Sequence, residues 1–121
     1  MLTFGKVLIM LIRLVAIFAI VLGILLLSGT NTEFLRIHIG VGFFLSTLVV
    51  LLAILALTRG AVVPAIVGIL FAFLLPYVGL KQFPLKFGWQ LGWIQISHVV
   101  VALVTLGVAE MLYGKLRRSA S

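Results

Sequence analysis

Four apolar runs, each long enough to cross a bilayer, leave this chain very few folds. They span about 4–27, 31–58, 62–78 and 89–113, and most charges fall at or near their ends. A helix rises about 1.5 Å per residue, so roughly 20 apolar residues cross a hydrocarbon layer about 30 Å thick. Four such crossings nearly exhaust 121 residues. Composition points the same way: 64% of the residues are hydrophobic and 9% charged, against roughly 25% charged in a soluble domain. So large an apolar share cannot be hidden inside one water-soluble core. The expected fold is all-α: a single transmembrane domain, 1–121, built as an up-down-up-down four-helix bundle. Any chemistry then lies within the bundle or at its surfaces.

The punctuation between the runs fits this layout. Lys6 ahead of an apolar stretch resembles the start of a signal peptide. However, the first run exceeds the usual 7–15-residue core and has no clear small-residue cleavage site, so a retained helix is expected. Thr30-x-x-Glu33 has capping-box spacing, which starts the second helix near Asn31. Arg59-Gly60 places a cation at its C-terminus, followed by a residue suited to a left-handed cap. Pro64 fits the first turn of the third helix, and Pro76 is expected to bend its last turn. The longest connection, 79–88, is bracketed by Tyr77, Trp89 and Trp93, residues that favour the membrane–water boundary.

A net charge of +7 suits nucleic acid only if the cations form a stripe. Here they cap the apolar runs instead, as membrane anchors do, so no nucleic-acid partner is expected. Lys6, Arg59, Lys115, Arg117 and Arg118 fall on one side, with Arg36, Lys81 and Lys86 on the other. The excess places both termini in the cytoplasm of a multi-pass protein, with a bacterial or archaeal inner membrane as the expected setting. The chain has no cysteine, which excludes disulfides, thiolate metal sites and iron–sulfur clusters. It has neither a phosphate loop nor a Ser-His-Asp set, so nothing supports a hydrolase or a nucleotide enzyme.

Two histidines stand inside the apolar runs. His38 and His98 are the only two in the chain, and an ionisable ring in a hydrocarbon segment is by default a functional candidate. His38 precedes Arg59 by 21 residues and His98 precedes Lys115 by 17, roughly 30 and 25 Å along parallel helices. That puts them within about one helical turn of the same depth, in the outer half, on helices that sit across the bundle diagonal. Gly42 and Ala102 follow one turn later and leave room beside each ring, and Thr105 continues the small face of the fourth helix. Gln95 lies one turn above His98. A lone intramembrane histidine also serves as a simple hydrogen-bonding contact between helices, and small residues pack helices without any cofactor. A zinc or copper site is less favoured. There is no cysteine, no carboxylate lies at that depth, and Met1, Met10 and Met111 lie towards the cytoplasmic side.

Two histidines facing each other across a membrane helical bundle resemble the bis-histidine b-type cytochromes, such as cytochrome b561-like proteins and haem-bearing respiratory anchors. The resemblance covers the four-helix layout and the positions His38 and His98. It implies one haem b with these two residues as axial ligands, and electron transfer between a membrane donor such as quinol and an outer-side acceptor. The chain would then be an electron-transfer or quinol-linked oxidoreductase component. Gln95, Lys81, Lys86 and Arg36 are the candidate partners of the haem carboxylates, although Arg36 should point away from the histidine face. Two other classes stay open. One is a cofactor-free accessory subunit of a larger membrane complex, or a homo-oligomer. The other is a small transporter protomer, which the Arg13 found where such transporters carry a membrane glutamate argues against.

Arg13 and Glu110 are the remaining charges inside the runs. They lie roughly 10 and 7 Å from the same face, on helices that should be antiparallel neighbours. A structural ion pair is expected, in preference to each side chain snorkelling separately to the interface.

Overall fold

The computed structural model describes residues 2–28, 33–81 and 92–119. Among them are four helices: α1 (Leu2–Leu27), α2 (Phe34–Thr58), α3 (Val62–Leu80) and α4 (Trp93–Ser119). All four are long and apolar enough to cross a membrane. Such helices satisfy their own backbone polar groups, which a lipid surrounding requires. Their hydroxyls follow suit. Thr47, Ser97 and Thr105 donate to the carbonyls of Phe43, Trp93 and Val101, one turn back, the usual local solution where no water is available.

Close approaches at glycines fix the helix directions. A Cβ placed on Gly5 would touch Leu55 and Leu116, whereas one on Gly23 would touch His38, so α1 runs antiparallel to α2 and α4. Gly68 lies against Leu112 and Gly79 against His98, which makes α3 antiparallel to α4. Consecutive helices pack side by side and α1 closes on α4. The α2–α4 diagonal is in contact, while α1 and α3 stand apart.

The C-terminus of α2 behaves as its sequence requires. Gly60 has φ 86°, the left-handed conformation that glycine adopts without a Cβ penalty. Gly60 N–H donates to Leu57 and Ala61 N–H to Ala56, the paired bonds of a Schellman cap. The N-terminus differs from expectation. Helix α2 begins at Phe34 with Glu33 as its cap residue, helical in φ and ψ and without a side-chain capping bond. Thr30, Asn31 and the loop residues 82–91, including Lys86 and Trp89, lie outside the described residues. Helix α3 continues through Pro76 to Leu80, and α4 starts at Trp93 and runs on to Ser119.

Packing divides the bundle into two unequal halves. Towards the chain termini, Leu8, Ile9 and Ile12 meet Val49, Leu52 and Leu112 in a closed core. Helix α4 contributes Thr105, Ala109, Leu112 and Leu116, one stripe at three- and four-residue spacing. In the other half, no residue of α2 before Leu45 and none of α4 before Thr105 is fully buried. That open half holds both histidines.

Candidate functional site

His98 and Ala102 continue the inward stripe of α4 beyond Thr105, and His38 and Gly42 do the same on α2 ahead of Leu45 and Ser46. Helical periodicity therefore turns both rings inward, and they meet: the ring centroids are 6.2 Å apart with planes at 79°. The Nδ1 atoms of His38 and His98 are both buried and hydrogen-bonded to none of the described residues. The backbone of Ala19 on α1 lies near the His38 ring.

The other two helices admit the rings. A Cβ on Gly79 would stand 3.0 Å from Cε1 of His98 and 3.4 Å from its Nδ1. A Cβ on Gly23 would stand 3.4 Å from Cε1 of His38. Each of the diagonal helices α1 and α3 thus brings a bare backbone against one imidazole. The sequence carried a signal for this. Gly23 lies 17 residues past Lys6, His98 lies 17 before Lys115, and Gly79 lies 17 past Val62. All three share one depth, yet glycines are so common in packed membrane helices that only the histidines stood out.

Around the rings lies a cavity of about 410 Å³, within the roughly 300–1,000 Å³ of small-molecule and cofactor sites. Its wall is mostly apolar and draws on all four helices, including Ala16, Ala19, Gly42, Pro76 and Ala102. Gln95 is on the wall as well. Thr105, expected to pack against a ligand, is not: it is fully buried in the closed half and its hydroxyl is bonded back to Val101. The stripe is continuous, but the bundle has already closed at that level. Arg36 sits on the surface beside Glu33 and Ile37, off the histidine face as its angular position requires. Lys81 lies over the Tyr77 ring at 5.3 Å, a cation–π contact suited to the end of the bundle.

The ring separation admits two chemistries. Edge-to-face ring pairs have centroids about 4.5–7 Å apart, so a bare contact is one. Two metal–nitrogen bonds of about 2 Å, with each ring centre about 1 Å behind its nitrogen, put the centroids roughly 6 Å apart, so a shared metal is the other. A bare contact leaves two buried ring nitrogens unsatisfied, which is costly in a low-dielectric site. Among the described residues no group of three or more His, Cys, Asp or Glu side chains could hold a metal ion. A zinc- or copper-type site therefore has only two imidazoles here. A metal carried in a macrocycle asks the protein for no more than its axial ligands.

Arg13 and Glu110 form the expected pair, between α1 and α4. Nε of Arg13 donates to Oε1 of Glu110 at 2.7 Å and Nη2 donates to Oε2 at 2.9 Å, the two-pronged geometry in which a guanidinium fits a carboxylate best. The pair lies one turn from Ala16 and Leu106, towards the closed end. No protein-family model, curated protein or solved structure matches the chain.

Proposed function

We propose that this chain is a small membrane b-type cytochrome that holds one haem between α2 and α4, with His38 and His98 as its axial ligands. The observation that carries this reading is the pair of inward imidazoles 6.2 Å apart in a mostly apolar cavity of ligand size. A bound haem supplies one-electron chemistry, and two histidines filling both axial positions favour electron transfer over oxygen binding. The chain's own residues set the conditions. Gly23 and Gly79 let the rings lie against neighbouring backbone. Gly42 and Ala102 leave space beside the rings, and the apolar wall gives them surroundings of low polarity. Gln95 on the wall is a candidate donor to a haem carboxylate, with Lys81 at the same end. With the cations distributed as they are, the termini face the cytoplasm, and electrons pass from a membrane donor such as a quinol to an acceptor at the outer side. The protein purified from cells supplied with haem should show b-type bands in a reduced-minus-oxidised spectrum. His38→Ala and His98→Ala should each abolish or strongly alter them. Colourless wild-type protein, or bands that survive both substitutions, would sink the reading.

A further inference from the structure

The ion pair raises a question of surroundings. Arg13 lies seven residues past Lys6 and Glu110 five before Lys115, about 10 and 7 Å inward along the helices. Their side chains are nevertheless 53% and 46% exposed on the outside of the bundle. Charges facing hydrocarbon are costly. The guanidinium commits two of its five N–H donors to Glu110, so further hydrogen-bonding capacity is directed outward. Arg13 has the length to snorkel, yet it is held sideways against Glu110.

The surface around the pair is continuous. On α1, Ile17, Ile20 and Ile24 extend the row of Arg13 at helical spacing, and all are exposed. On α4, Leu103 and Gly107 extend the row of Glu110. A Cβ on Gly107 would meet nothing within 4 Å, so another backbone can approach closely there, as at other small-residue helix contacts in membranes.

We propose that this α1–α4 face is the contact between two copies of the chain, related by a two-fold axis along the membrane normal. The face is self-complementary in charge. Such an axis passing between α1 and α4 sets α1 of one copy against α4 of the other, and any residue meets its symmetry mate at its own depth. Arg13 of each copy then reaches Glu110 of the other, and two exposed ion pairs become one closed ring of four alternating charges. A different partner would have to present both signs at the same depth, whereas a second copy does so by symmetry. The contact also covers Ile20, Ile24 and Leu103, which are wall residues of the histidine cavity.

Single-molecule photobleaching of labelled protein in lipid bilayers, over a dilution series in lipid, tests this without reference to any cofactor. The wild type should dimerise reversibly. Arg13→Glu and Glu110→Arg should each associate poorly alone, because like charges then oppose each other within and between copies. Mixed together, only the contacts between unlike copies are complementary, so heterodimers should exceed either homodimer by about tenfold. Gly107→Leu, which has open space within its own chain, should weaken wild-type dimerisation by about tenfold with the fold intact. A wild type that stays monomeric at every dilution overturns the proposal. So does a dimer indifferent to Gly107→Leu, or a mixture no more associated than its components.

Discussion

Gly79 and Gly23 decide how the two imidazoles sit. A methyl at position 79 would stand 3.0 Å from the His98 ring, so the ring must give way by a few tenths of an ångström. At position 23 the spacing to His38 is already 3.4 Å. Alanine is also the better helix former, by about 0.5–1 kcal/mol. Fold stability and site geometry should therefore separate. On the proposed haem reading, Gly79→Ala should lower haem occupancy of the purified protein several-fold while the thermal midpoint of the haem-free protein holds or rises, and Gly23→Ala should stay within about twofold of wild type, since ligand-site geometry is sensitive on the scale of a fraction of an ångström. Equal occupancy in Gly79→Ala and wild type, measured as absorbance ratio, would show that His98 does not depend on this close backbone.

Between elements, the closed half depends on how nearly α3 approaches α4. A Cβ on Gly68 would come within 2.8 Å of Leu112 Cδ1 and 3.4 Å of Ala53, at a level where Leu112 and Ala53 are both fully buried. Overpacking a filled core costs about 1–3 kcal/mol, so Gly68→Leu should lower resistance to denaturant by that order. Gly107→Leu, also on a helix but facing open space, should change monomer stability far less. The contrast was hidden in the sequence, where both are glycines in apolar runs. Other element-scale features were legible. Gly60 after Arg59 gave the end of α2 through backbone chemistry alone, whereas Thr30-x-x-Glu33 misplaced its start, because α2 begins on Phe34 without a side-chain cap.

At the scale of the whole molecule, the Arg13–Glu110 pair closes the bundle by tying its first helix to its last. Removing one partner leaves a lone charge among apolar side chains and lipid, while removing both leaves none. Arg13→Leu and Glu110→Leu should each lower the thermal midpoint of the membrane-embedded protein, and the double variant should recover most of the loss. Additive losses in that double-variant cycle would mean that the two side chains act independently. The pair could be anticipated from sequence because it needs only depth and adjacency: two charges near the same end of antiparallel helices that neighbour each other in a closed ring of four.

The sequence by itself determined the class, the four helices and which charged residues stand inside the apolar runs rather than at their ends. Hydropathy, helix rise and capping act locally along the chain, so they can be summed without knowing the fold. It also brought His38 and His98 to one level on inward stripes. Only the tertiary structure decided that the bundle closes around Leu52 and Leu112 and stays open around the histidines. It alone set the rings 6.2 Å apart, selected Gly23 and Gly79 from among the described glycines as their neighbours, and moved Thr105 from the pocket to the core. Those outcomes depend on the angle and distance at which helices pack, which follow from the interlocking of side chains on several helices at once.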